Sequence, residues 1–175
     1  MPNWVTNEAA ITGKKEVINK ICELIKGKNP FDFNRIIPEP QTKDECDPKY
    51  FVTPNSHISL EEDRPWFNWY DWHWDNWGTK WNSCDAYTER TTDTELIVSF
   101  NTAWGFPEPI WRKLADLFPN AKFRVKFADE DLGNNCGYFY AEDGYVNCEW
   151  VNTLEFACEV FGYTEEDLKE WGYDI

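Results

Sequence analysis

Between Lys122 and Phe127 cations and apolar residues alternate: Lys122, Arg124 and Lys126 interleave with Phe123, Val125 and Phe127. Successive side chains on a strand point to opposite faces, so this segment reads as a strand with one face on a core and the other in water. The sheet that contains it therefore carries helices on one face. Residues 7–12 predict a first strand ending at Thr12-Gly13. After it, Val17, Ile18, Ile21, Cys22 and Ile25 share one face of a helix stopped at Gly27. Residues 84–90 and 95–102 predict a hairpin turning at Thr91-Thr92-Asp93. Pro107 and Pro109 open a helix with Ile110, Trp111, Leu114, Leu117 and Phe118 on one face, and Pro119 closes it. The succession β-α-β-β-α-β is a split βαβ arrangement, an α+β fold of ferredoxin-like type.

The 175 residues suit a single domain. The ferredoxin-like core takes about 5–30 and 83–130, with an insertion over about 31–82 and an acidic extension over about 131–175. The insertion holds Pro30, Pro38, Pro40, Pro48 and Pro54 around its irregular part, then a Trp-rich helix over 65–77 closed by Gly78. The extension begins with a hairpin from Tyr138 to Trp150 that turns at Asp143-Gly144. Helices follow at 153–161 and 165–171, opened by the capping pairs Asn152/Glu155 and Thr164/Asp167.

The Trp-rich helix places Trp66, Trp69, Tyr70, His73, Trp74 and Trp77 on one stripe, the pattern of a helix packed on a sheet. Trp72 falls off the stripe and is expected to be exposed. With Trp104 it is the candidate platform for stacking a sugar ring or other flat ligand. Neither His57 nor His73 sits in a zinc-binding spacing. A set drawn from Cys46, His57, His73 and Cys84 matches no known pattern, so no metal and no cofactor are expected. The six cysteines are scattered and read as reduced thiols filling the core. Cys136 could serve as a nucleophile, but no histidine lies near it in sequence and the acids around it would raise its pKa. Gly-rich phosphate loops and Gly-x-Ser-x-Gly are absent. No catalytic residue is assigned, and a non-enzymatic protein is expected.

Charge is the remaining signal. The chain carries −15, and residues 128–175 hold thirteen carboxylates against a single lysine, Lys169. Asp129, Glu130 and Asp131 end the best strand and invite a cation, although Asn134 and Tyr140 stand where an EF-hand needs Gly and Glu. Such a field disfavours nucleic acid and anionic membrane and favours a protein with a basic surface. Asp129, Glu130, Asp131, Glu142, Asp143, Glu165, Glu166 and Asp167 are the candidate partner-binding carboxylates, able to imitate phosphate charge if they share one surface. With no secretory pattern and no long apolar run, a cytoplasmic location is expected.

Met1-Pro-Asn-Trp4, Asn68-Trp-Tyr-Asp-Trp72, Asn76-Trp-Gly-Thr-Lys-Trp-Asn82 and Phe100-Asn-Thr-Ala-Trp-Gly-Phe-Pro107 resemble the Api92-like family, proteins with a YubB-type ferredoxin-like domain. The resemblance implies a phage or plasmid setting, a ferredoxin-like fold without an iron–sulfur cluster, and no established activity. Members commonly have Cys after the opening Pro-Asn-Trp. This chain has Val5 there. Together these readings give a protein that binds a host or phage protein, such as a nucleic-acid-binding defence factor.

Overall fold

The computed structural model describes residues 2–173; Met1, which opens the first family motif, and Asp174, one of the thirteen carboxylates, lie outside the described residues. Six strands form one antiparallel sheet: β1 (Trp4–Thr12), β2 (Cys84–Thr92), β3 (Glu95–Ala103), β4 (Lys122–Asp129), β5 (Gly137–Glu142) and β6 (Tyr145–Trp150). Their spatial order is β2-β3-β1-β4-β5-β6. The first four strands make the ferredoxin-like arrangement, and the last hairpin extends it beyond β4. Asp143 and Gly144 both take positive φ at that hairpin's tip, as a two-residue primed turn requires.

The helices are α1 (Lys15–Ile25), α2 (Phe33–Ile36), α3 (Trp69–Trp77), α4 (Glu108–Leu117), α5 (Leu154–Phe161) and α6 (Glu165–Glu170). β1 starts three residues before its predicted limit. Asn7 is buried on the core side and interrupts the apolar alternation there, donating to the Val5 carbonyl at 2.9 Å and the Thr102 hydroxyl at 3.0 Å. β2 and β3 run on to Thr92 and from Glu95, so their turn lies one residue later than predicted. α3 is shorter than its predicted span, because Phe51 bridges to Phe67 and Asn68 caps the helix through the Asp71 N–H. Thr153, not Asn152, caps α5; Asn152 is left-handed and accepts from the Cys136 N–H at 3.1 Å. The Thr164/Asp167 capping box of α6 is present. On α4, Leu117 is exposed, and Ala115 takes the buried position instead.

One sheet face carries the main core. Val5, Ala9 and Ile11 of β1, Leu96, Val98 and Phe100 of β3, and Phe123, Val125 and Phe127 of β4 join Ile18 and Ile21 of α1 and Trp111 and Leu114 of α4. The insertion contributes to the same core. Phe31 stacks on Phe100 with centroids 4.8 Å apart and on Trp111 at 5.2 Å. Phe33 meets the Trp77 edge at 5.7 Å.

The burial pattern of α3 corrects two expectations. Trp72 is only 7% exposed, wedged against Phe67 and Trp77. Trp66, Trp69, Tyr70 and Trp74, assigned to the buried stripe, are half-exposed. A nine-residue helix covered on one side by the sheet layer and on another by the folded-back insertion buries more than one stripe.

His73 ties α3 to the insertion. Its ring stacks on Trp77 at 4.1 Å, Nδ1 meets the Lys80 carbonyl at 2.7 Å, and Nε2 meets Glu39 Oε1 at 2.5 Å. Arg64 donates to the other Glu39 oxygen at 2.8 Å and to the Pro40 carbonyl at 2.9 Å. Burial pushes the Glu39 carboxyl up, but hydrogen bonds from His73 and Arg64 outweigh it and bring the pKa from 4.5 down to about 2.

Two predictions follow from this packing. Phe31→Ala removes a fully buried ring packed on both Phe100 and Trp111 and should lower the unfolding free energy by about 3–5 kcal/mol in denaturant titrations, whereas exposed Leu60→Ala should change it by less than about 0.5 kcal/mol. Glu39→Gln takes the shared carboxylate away from Arg64 and buried His73, leaving Arg64 only Glu61 at 2.9 Å, and should cost about 3 kcal/mol at neutral pH. The folded Glu39 carboxyl titrates below the unfolded one, so its contribution is complete above pH 4.5 and is lost as pH falls through 2. Thermal midpoints of the parent chain should therefore drop more steeply across that window than those of Glu39→Gln.

Candidate functional site

The second sheet face is divided between cover and groove. At the far end of β4, Ala128 and Cys136 meet Ala157 and Val160 of α5, flanked by Leu132, Phe156 and Phe161, in a small core of their own. Lys126 pairs with Glu159 across this seam. The short side chains at Ala128 and Ala157 leave room for the helix to lie close to the sheet. The acidic extension is thereby folded back onto the face that the strand pattern predicts to be wet.

Beyond α5 the face remains open as a groove of about 620 Å³. Strand register sets its floor in two rows. Ile97, Ala10, Arg124 and Tyr140 lie side by side, next to Ser99, Glu8, Lys126 and Tyr138. Small residues at Ala10 and Ser99 make the hollow between longer neighbours. Lys122 pairs with Glu142 and Lys126 with Glu159, while Arg124 makes no ion pair among the described residues.

The eight carboxylates singled out in the sequence do not share one surface. Asp129 is buried, which corrects its assignment as a partner-binding group: it accepts from the Asp131 N–H at 2.9 Å, Asn135 Nδ2 at 3.0 Å and Asn3 Nδ2 at 3.3 Å. Those N–H groups satisfy the oxygens that a cation would need. Glu142 is engaged by Lys122 and the Tyr140 hydroxyl, and Asp143 sits in the hairpin turn. Both lie at the opposite end of β4 from Asp129, roughly 20 Å away by strand rise. Asp167 is committed to the α6 cap, and the Thr164 hydrogen bonds lower its pKa. Glu165 pairs with Lys169 at 3.7 Å. Within residues 128–173, the carboxylates exposed and without an ion pair among the described residues are Asp143 and Glu149, which sit apart on the β5–β6 hairpin, and a second group made of Glu130, Asp131 and Glu166, joined by Glu155 and Glu170. This second group clusters on the α5–α6 side of the sheet and its adjoining loop.

Aromatic rings concentrate on the same side. Tyr163, Trp171 and Tyr173 are exposed, and with Phe161, Leu132 and Glu130 they line a hollow of about 360 Å³. Sequence reading passed over these rings because they follow no periodic pattern. Only their position around α6, Tyr163 just before its capping box and Trp171 and Tyr173 just after the helix, could have marked them.

Three of the segments that carry the family resemblance meet in one corner. The Lys80 ammonium lies 4.5 Å from the Trp81 ring and 4.4 Å from the Trp104 ring, and Trp4 approaches Trp81 at 6.2 Å. Trp104 is 40% exposed at φ +68, held by its N–H on the Asn3 carbonyl and by Asn135 on its own carbonyl. A Cβ at Gly105 would sit 2.4 Å from the Gly78 carbonyl, so glycine is required there. Trp104 is thus available on one side, with Lys80 over its ring. Trp72 is not available.

Cys136 is buried, its thiol directed at the Thr153 carbonyl, and burial raises its pKa. Burial likewise pushes Cys148 up to about 12. Among the described residues no three His, Cys, Asp or Glu side chains converge as a metal site needs, so Cys46, His57, His73 and Cys84 do not assemble. No described helix is long and apolar enough to cross a membrane.

A family model described as the ferredoxin-like domain in Api92-like protein matches residues 76–174, more than half of the chain. In structure the chain is similar to a crystal structure of protein api92 from Yersinia pseudotuberculosis, with a TM-score of 0.53 at 9% identity, covering 86% of this chain and 99% of that one. At that identity the likeness shows the fold. No curated protein sequence matches the chain. With the sheet order, the converging motif segments and the family match in agreement, the chain belongs to the Api92-like family.

Proposed function

We propose that this chain is a non-enzymatic protein of a phage or plasmid that acts in the host cytoplasm by binding a host or phage protein with a basic surface. The observation that carries the reading is the set of exposed carboxylates without ion pairs, Glu130, Asp131, Glu155, Glu166 and Glu170, gathered on the α5–α6 side. They would pair with lysines and arginines that otherwise hold phosphate, so a nucleic-acid-binding defence protein is the kind of partner expected. The separation of Glu142 and Asp143 from this group makes the mimicry one-sided, confined to α5, α6 and the loop after β4.

A second reading rests on the open groove, whose apolar floor and unpaired Arg124 suit a small flat anionic molecule. It replaces the Trp-rich helix as the place for a small ligand, since α3 turns Trp72 inward.

A tagged chain used to capture proteins from host lysate separates the two. On the first reading a basic nucleic-acid-binding protein is retained at low salt and released at high salt. The variant Glu130→Gln, Glu155→Gln, Glu166→Gln, Glu170→Gln should recover much less of it. Retention that is indifferent both to salt and to these four changes would sink the first reading. A small molecule whose binding is abolished by Arg124→Ala would support the second.

A further inference from the structure

We propose that the hollow at the end of α6 is an aromatic cage for one lysine or arginine side chain of the partner protein. The site rests on the reading of the chain as an acidic binder of a basic protein, and names the recognition element within that surface. Its walls are set by the fold. Tyr163 stacks on Phe161 at 5.1 Å and meets the Trp171 ring edge to face at 4.9 Å and 87°, so two indole and phenol walls stand at a right angle. The α6 C-terminus fixes the remaining wall: the Trp171 N–H bonds to the Asp167 carbonyl, the Gly172 N–H to that of Lys169, and the Tyr173 N–H to that of Leu168, with Gly172 at φ +85. Glu130 supplies a carboxylate to the lining, anchored by its own N–H on the Trp4 carbonyl.

Ring faces carry negative electrostatic potential, and a cation placed over several of them beside a carboxylate is held by both effects. No cation of the described residues fills the position. Lys169, the lysine of the extension, reaches to Glu165, and none of the cation–ring contacts of the described residues involves Phe161, Tyr163, Trp171 or Tyr173. The neighbourhood is anionic as well. A second hollow of about 400 Å³ shares Tyr163 and is lined by Glu155, Glu159 and Glu165, so a basic segment seated in the cage would place its next cation there. Exposed Tyr and Trp rimmed by charge are also what a binding hot spot requires, since each buries a large rigid area at small entropic cost.

The test is an NMR titration of the full chain with a decapeptide of alternating lysine and serine at low salt, following the Trp171 indole N–H and the Tyr163 and Glu130 amides. These signals should shift together. Trp171→Ala and Glu130→Gln should each weaken binding, the former by roughly tenfold, while exposed Tyr145→Ala should leave it unchanged. Preserved dispersion of the remaining amides confirms that each variant is folded, and Glu130→Gln provides the reading if Trp171→Ala is not. If the peptide binds and depends on Glu166 and Glu170, yet Trp171 does not move and Trp171→Ala binds as the parent does, the cage is wrong and the acidic surface stands. If neither the peptide nor any basic protein binds at low salt, both readings fall. If tetramethylammonium shifts Trp171 and the peptide does not, the cage serves a small cation and the partner assignment is overturned.

Discussion

The three-ring cluster of Phe31, Phe100 and Trp111, each ring in contact with the other two, holds the three parts of the molecule together. One ring comes from the insertion, one from a central strand and one from the helix that covers it. Aromatic pairs of this kind add about 0.5–1.5 kcal/mol beyond their buried area, and here each also joins segments far apart in sequence. Because the insertion delivers Phe31 and Phe33 into the core, it is not an appendage. Its second half follows from that placement: Phe33 seats Trp77, Trp77 stacks His73, and His73 draws in Glu39 and Arg64. Gly78 then ends α3 and brings Lys80 between Trp81 and Trp104.

A sheet with one filled face leaves the other to be settled by charge and size. The cations of β4 keep that face soluble, and α5 covers only the stretch where Ala128 allows close approach. Lys126 meets Glu159 at the boundary, so the strand's cation row and the extension's acid row neutralise each other where they touch. Past the seam both rows have members left over. Arg124 stays in the open groove, and the carboxylates of α5, α6 and the loop after β4 face outward. The two candidate binding surfaces are the two unneutralised remainders of one charge pattern.

Much of this was legible in the residues. The strand alternation at Lys122–Phe127, the helix face of α1, the Asp143-Gly144 turn and the Thr164/Asp167 cap each rest on local periodicity or local chemistry, and each is found at its expected place. What sequence could not supply is the partner of each face. Trp72 was read as exposed because a helix was assumed to have one neighbour, whereas α3 has two. Asn7 hid the start of β1, because a buried amide whose Nδ2 is held by Thr102 and by backbone looks in sequence like a break in the apolar pattern. Asp129 counts as free charge in a composition, and only its three-dimensional neighbours reveal that N–H groups already occupy it. The aromatic hollow depends on Tyr163, Trp171 and Glu130, whose proximity is made by the return of α5 onto the sheet.

A net charge of −15 on a chain of this size opposes compaction through self-repulsion. The core aromatics supply the burial that offsets it, and the placement of the acids keeps the cost low: Glu39 is paired, Asp129 and Asp167 are held by N–H groups, and the carboxylates of the α5–α6 side lie at the periphery, where water screens them. Self-repulsion among the peripheral group is therefore mild in the free chain, yet it is still present and still unrelieved. A cationic partner would remove it at the moment of contact, so association would relax a strain that folding left in place. Carboxylates that contribute nothing to the stability of the free molecule would in this way contribute to the stability of the complex.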